Sequence, residues 1–408
     1  LLVLRQTIVK QFILAAGLVV LSAGMANALT GNWAKCTGGD AAQAIDGCSV
    51  IIDAKLESPI NLGIAYNNRG RARATLGKYD TAITDLSEAI RLNPKIPQIR
   101  YNRGKAYAGQ GQTKLALGDY DAVLKANPED SDAYLNRGNI HANLGAVEKA
   151  IDDYISALIL RPDFASAYYN KGKLKLDYGN YRLAIPDFDA AIQLNPSDYE
   201  AFNARGQARF RSGLTSRALE DFEKAIALAP KFADAYANRC SVLTLRGDID
   251  QAIADCSTAL THDPALASAF LNRGLALAQK EDHVKAIEDF NAAIRLRPGQ
   301  AQTFKARALS YKAEGNLASA VKDSSEAIRL NPTDQDAYNL RGGVYARKGD
   351  VDLALADFEK RYELGGATIV QNAQSYLWDK GHYKGALNGV YGDEMRQALR
   401  ACISDPDC

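Results

Sequence analysis

Apolar and small positions recur at steps of three and four along Ser131–Pro162, SDAYLNRGNIHANLGAVEKAIDDYISALILRP. They are Tyr134, Gly138 and Ala142, then Ala150, Ile151, Tyr154, Ala157 and Leu158. That spacing is the period of an amphipathic helix. It predicts two helices, over 131–144 and 147–160, parted at Gly145 and closed by Pro162. The same pattern returns every 34 residues, with a proline in constant phase from Pro94 to Pro332 and a second-helix alanine in constant phase from Ala82 to Ala354. Nine copies over residues 63–368 result, and a period of this length signals stacked helix pairs sharing one interior.

A 34-residue helix–turn–helix with aromatic, Gly, Ala, aromatic, Ala and Pro in this order resembles the tetratricopeptide repeat (TPR) family. The resemblance implies an all-α fold, an α-solenoid wound as a right-handed superhelix, with the first helix of each repeat on the concave face. It also implies a scaffold that presents surfaces to protein partners and seldom performs chemistry.

Two charged slots never change sign. One is Arg69, Arg103, Arg137, Lys171, Arg205, Arg239, Arg273, Arg307 and Arg341, one residue before the small slot of the first helix. The other is Asp85, Asp119, Asp153, Asp187, Asp221, Asp255, Asp289, Asp323 and Asp357, one residue before the second-helix aromatic. Matching signs in every copy predict a register-setting ion-pair ladder in preference to a row of cations open to an anionic ligand.

A third slot holds Asn68, Asn102, Asn136, Asn170, Asn238 and Asn272, and lapses at Ala204, Ala306 and Leu340. An amide donates and accepts together, so it can hold the backbone of an extended peptide without reading side chains. The arrangement is similar to the asparagine ladder in the TPR superhelix of O-linked N-acetylglucosamine transferase. Hydrogen bonds to neighbouring helices are the other reading. Tyr101, Tyr169 and Phe210 join the asparagines as groove candidates or as packing residues. The Lys/Asn/Arg set by which some TPR domains clamp a terminal carboxylate is not reproduced at Asn67, Arg71, Asn102, Asp132 and Asn136. Two local departures stand out: Glu281 replaces the inter-helix glycine, and Pro186, inside a predicted helix, should bend it.

The front of the chain changes the picture. Arg5 and Lys10, an apolar run over 12–24, then Ala26-Asn27-Ala28 follow the order of a secretory signal peptide, so residues 1–28 are expected to be removed. An uncleaved membrane anchor is the alternative. Without residues 1–28 the formal net charge passes from +1 to −1, which offers nothing to nucleic acid. Six cysteines follow that segment, and their spacing favours sequential pairs: Cys36 with Cys48, Cys240 with Cys256, Cys402 with Cys408. Cys240 takes the small slot of its repeat and Cys256 the aromatic slot, so one cross-link accounts for both departures. Free thiols are the alternative there, and a zinc site is disfavoured because no CxxC or close His pair exists. Residues 29–62 read as a disulfide-stapled, degenerate repeat that caps the array.

After residue 368 the period stops. The tail, 369–408, predicts a helix over 369–380, a Gly-rich loop and a helix from Asp393. Gln374, Leu377, Gly381, Tyr383, Gly385, Asn388, Gly389, Tyr391, Gly392, Ala398 and Leu399 resemble the pattern of the peptidoglycan-binding-like domain of bacterial envelope enzymes. That resemblance makes Tyr383, Asn388 and Tyr391 candidate glycan contacts, with a structural cap as the alternative.

No P-loop, GxSxG, HExxH or kinase set occurs, and the four histidines are scattered. The reading is a non-enzymatic scaffold without cofactor or metal, periplasmic or secreted, binding a protein or extended peptide in the concave groove. No stable membrane insertion is expected after cleavage. A peptidoglycan binder, with the repeats as spacer, is the second expectation.

Overall fold

The computed structural model describes residues 30–405 and 408. The expected signal peptide lies outside the described residues. All regular structure among them is helical, and consecutive helices pack as pairs in an all-α solenoid. No described helix is long and apolar enough to cross a membrane. The chain divides into two compact units after Pro196.

In the first unit a helical stretch, 30–37, is followed by α1 (Ala41–Ala54). Four pairs come next: α2 (Pro59–Thr75) with α3 (Tyr79–Leu92), α4 (Pro97–Gly109) with α5 (Thr113–Ala126), α6 (Ser131–Asn143) with α7 (Val147–Leu160), and α8 (Ala165–Asp177) with α9 (Tyr181–Leu194). The second unit holds α10 (Tyr199–Arg211) with α11 (Thr215–Leu228), α12 (Ala233–Arg246) with α13 (Ile249–His262), and α14 (Ala267–Gln279) with α15 (His283–Leu296). It continues with α16 (Ala301–Ala313) and α17 (Leu317–Leu330), α18 (Gln335–Lys348) and α19 (Val351–Asp379), and α20 (Asp393–Ser404).

The period works because the two helices of a pair approach too closely for ordinary side chains. The phased alanine, Ala82 through Ala354, is 0% exposed in every copy. At the small slot a Cβ on Gly138 would stand 2.8 Å from Tyr154 Cε1, and one on Gly206 would stand 2.6 Å from Phe222 Cε1. Only hydrogen fits beneath the ring. Three copies have no ring there: in the first, Gly70 lies under Leu86, whose Cγ would stand 2.7 Å from a Cβ, and the other two depart further. In one, Cys240 and Cys256 form a disulfide. In another, Ala308 faces buried Ser324, a small residue where the ring would be. The remaining cysteines are paired as Cys36–Cys48 and Cys402–Cys408.

Turns between paired helices repeat a left-handed residue, as at Gly145 with φ +72°. Glu281 occupies that turn with φ +66°, so its side chain is carried in a conformation that favours glycine. Pro186 lies inside α9, which runs on as one element. It sits near the helix start and removes only one backbone bond. α2 begins at Pro59, earlier than the period indicates, because Ser58 Oγ caps it by accepting from Asn61 N.

Gly366, with φ 69° and ψ −169°, breaks α19 where the 34-residue pattern ends. Beyond it the tail is organised by Gln374, which is 0% exposed. Its Oε1 accepts from Gly389 N at 2.8 Å, and its Nε2 donates to Val390 O at 3.0 Å and Asn388 Oδ1 at 3.1 Å. One buried amide thereby holds the Gly-rich loop against α19.

Candidate functional site

The charged slots meet inside every pair. Arg103 Nε and Nη2 each lie 2.8 Å from an oxygen of Asp119, and Arg273 Nε and Nη2 each lie 2.7 Å from one of Asp289. The one lysine, Lys171, reaches Asp187 Oδ1 at 3.0 Å. These aspartates are only 2–6% exposed. The third guanidinium nitrogen looks backward: Arg103 Nη1 donates to Ser87 Oγ at 3.1 Å, Arg273 to Ser257 at 3.2 Å and Arg341 to Ser325 at 3.0 Å. Arg69 makes the same contact with Ser49 of α1 at 3.1 Å, so α1 stands where a preceding second helix would. Some aspartates take a second cation one turn later, as Asp85 does from Arg73 at 2.7 Å and Asp187 from Lys175 at 2.6 Å.

Hydrogen bonds to Asp153 and Asp121 raise the Arg137 guanidinium above its ordinary value, against the opposing effect of burial. Burial raises the Asp221 carboxyl, although Arg205 and Arg209 pull the other way. The arginines are therefore spent on the fold, and an anion would have to compete with a two-nitrogen carboxylate fork.

The asparagine slot is half-buried, with its amides turned along the row of first helices. Asn102 Nδ2 donates to Asn67 Oδ1 at 2.8 Å, Asn136 to Tyr101 Oη at 2.9 Å and Asn170 to Asn139 Oδ1 at 2.8 Å. In the second unit Asn238 donates to Asn203 Oδ1 and Asn272 to Ala237 O, both at 2.9 Å. Asn68 accepts from its neighbour Asn67 at 3.3 Å. Tyr101 and Tyr169 set their rings edge-on against Tyr120 and Phe188, each with centroids 5.9 Å apart. Burial raises the Tyr101 phenol.

Next to these slots the first-helix face opens into clefts. In the first unit a cleft of about 420 Å³ lies between α6 and α8, walled by Asn139, Asn143, Asn170, Lys173, Asp177 and Tyr178. In the second, one of about 310 Å³ lies between α12 and α14, walled by Ser241, Thr244, Leu245, Asn272, Leu275 and Gln279, with Phe210 at its edge. Asn139, Asn143, Asn170, Lys173 and Asp177 sit three repeats before Ser241, Leu245, Asn272, Leu275 and Gln279, so the two clefts use the same slots. The first sets Lys173, Asp177 and the amides beside Ala142, Tyr154 and Leu174. The second offers Leu245, 70% exposed, and Leu275. Apart from the asparagine slot, these residue types change from copy to copy, so a search for invariant positions passes over them.

In the tail, Tyr383 is buried and its hydroxyl donates to Ala386 O at 3.0 Å. Asn388 is exposed, and its Oδ1 accepts from Val390 N as well as from Gln374. Tyr391 donates to Glu359 Oε1 at 3.0 Å. The three side chains hold the loop to itself and to α19. Among the described residues no group of three or more His, Cys, Asp or Glu could hold a metal ion.

A tetratricopeptide repeat family model matches residues 101–167, 169–233, 246–301 and 305–367, more than half of the chain, and a TPR repeat model matches 70–111. No curated protein matches. Among solved structures, a tetratricopeptide repeat protein from Parabacteroides merdae is 23% identical with a TM-score of 0.50, covering 60% of this chain and 97% of its own. YrrB, described as a TPR protein with an unusual peptide-binding site, is 26% identical with a TM-score of 0.38, over 46% of this chain and 97% of its own. Yeast Tom70 is 16% identical with a TM-score of 0.44, over 79% and 88%.

Proposed function

The chain belongs to the tetratricopeptide repeat family, whose fold serves as a scaffold for protein–protein interaction, and from that premise we propose that it binds a protein or extended peptide along its first-helix face. The observation that carries this reading is the pair of clefts built from the same slots, at Lys173 in one unit and Leu245 in the other. Lys173, Asp177, Leu245 and Leu275 in their walls belong to no part of the arginine–aspartate ladder, so these positions vary without disturbing it. The asparagine amides beside them line the row with polar groups suited to a peptide backbone. The protein acts as a non-enzymatic adaptor of the cell envelope, exported by its leading segment. Three disulfides are compatible with an oxidising compartment. No observation favours the glycan alternative, since Tyr383 is buried and Asn388 and Tyr391 brace the tail loop.

Peptide-display selection on the oxidised full chain, followed by hydrogen exchange on the complex, tests the proposal. Protection confined to α6 and α8, or to α12 and α14, supports it. Protection confined to the second helices, or a selection that yields no saturable binder, refutes it.

A further inference from the structure

The cleft between α12 and α14 belongs to a longer apolar row within the second unit. Leu245 on α12 is exposed, and Leu275 on α14 is half-buried beside it. Leu309 on α16 holds the slot of Leu275 and is 53% exposed. Phe210 on α10 stands at the other edge of the cleft. Four consecutive first helices thus carry bulky apolar side chains on one face. In the first unit the slot of Leu275 and Leu309 holds Arg71, Lys105, Asn139 and Lys173. Apolar groups left in water on one contiguous face mark a place where a partner covers them.

Charge on this face has one sign. The slots that wall the clefts, those of Asn139, Ala142, Asn143 and Asn170, hold no Asp or Glu anywhere in the second unit, although the chain has 48 acids to 49 bases. Arg211, Lys312 and Arg347 occupy these slots, each in the last turn of its helix. Lys312 Nζ lies 3.5 Å from the place of a Cβ on Gly343, so the ammonium runs along the face over the slot that Leu275 and Leu309 fill. Arg347 Nη1 donates to an uncharged acceptor, Lys312 O, at 3.1 Å. Among the described residues, Arg211 and Lys312 pair with no carboxylate. Glu200, Asp234 and Asp336 stand in the first turns, about 16 Å away along the helix axes. Apolar side chains bracketed by unpaired cations, with the acids at the far end, select a partner by charge complementarity. On the premise that the first-helix face is the binding face, we infer that the second unit takes an acidic peptide segment bearing bulky apolar side chains. An apolar group sits on Leu245 and Leu275, and flanking carboxylates meet Arg211 and Lys312.

Fluorescence anisotropy on the oxidised full chain tests the inference with three short labelled peptides. One alternates paired Asp with Leu and Phe, the second has Lys for Asp, and the third has Ser for Leu and Phe. Expected are saturable binding of the first, at least ~10-fold tighter than either counterpart, and at least ~10-fold loss on Lys312→Glu and on Leu309→Asp. Leu309 is exposed, so its variant keeps the fold if Lys312→Glu does not, and an unchanged melting temperature verifies this. Equal or tighter binding of the lysine or serine peptide, binding of none, or binding of the acidic peptide unchanged in both variants overturns it. If display-selected peptides still protect α12 and α14 from hydrogen exchange in that event, the binding face stands and only the acidic, apolar character of the partner falls.

Discussion

Arg137 holds Asp153 with two nitrogens, Nη2 at 2.7 Å from Oδ1 and Nε at 3.0 Å from Oδ2, while its remaining nitrogen reaches Asp121 of the preceding pair at 2.7 Å. One side chain thus fixes the spacing of two helices within a pair and of that pair against its predecessor. A fork of planar donors does this where a point charge would not.

Asp153 is 4% exposed, so removing it leaves a charge short of its partner in a poorly solvated place. Asp153→Ala is expected to cost about 3 kcal/mol, the low end for breaking a buried pair because Arg137 keeps Asp121. Asp132→Ala, which removes the exposed partner of Arg161, is expected to cost less than ~1 kcal/mol. Urea unfolding of the two variants checks the contrast, and equal losses would reject the ladder as the register device.

The glycine–ring contact makes a second expectation. A methyl on Gly138 would meet Tyr154 Cε1 at 2.8 Å, so Gly138→Ala is expected to destabilise by ~1–3 kcal/mol through overpacking. Tyr154→Ser imitates the Ala308 and Ser324 arrangement. The double variant should cost at least ~1 kcal/mol less than the two singles added together, as coupled neighbours do. Strict additivity in a thermal-unfolding cycle would contradict the packing account.

The ladder was legible in the sequence because both partners keep one sign of charge in one phase, Arg137 and Asp153 being one instance among nine. The same is true of the Cys240–Cys256 link, whose two departures fall in facing slots. The asparagine partners were not legible. Asn67, Tyr101 and Ala237 accept the same kind of bond with a side-chain amide, a phenol and a backbone carbonyl. The second cations at Arg73, Lys175 and Arg209 escaped for a like reason, since the same slot holds Tyr107, Leu243, Leu277, Tyr311 and Tyr345 in other repeats. The clefts arise from what is missing between neighbouring first helices, which no phase in the sequence marks.

Glu281 carries a strain that glycine would relieve. With φ at +66° in a turn that glycine occupies in the other repeats, Glu281→Gly is expected to stabilise by about 1 kcal/mol. A midpoint of urea unfolding that stays put or falls would show that the glutamate side chain supplies a compensating contact.

Hydrogen bonds from Trp33 and then Asn61 hold the Glu57 carboxyl below its ordinary value and tie the helical stretch 30–37 to α2. The lowered folded value means the bonds stabilise fully above the usual glutamate range and are lost as pH falls through the folded value. In a Trp378→Phe background, Trp33 emission should shift on acidification below that range, and Glu57→Gln should flatten the shift. An unchanged acid transition in Glu57→Gln would remove the coupling.

The most direct measurement is the affinity of one selected peptide for Leu245→Asp and Lys173→Glu, set beside Leu183→Asp on the exposed side of the second helix α9. Loss of at least ~5-fold, about 1 kcal/mol, in whichever cleft variant faces the peptide, with Leu183→Asp unchanged, is the result expected of a partner seated on the first helices. Equal affinities for both cleft variants and loss only at Leu183→Asp would contradict it.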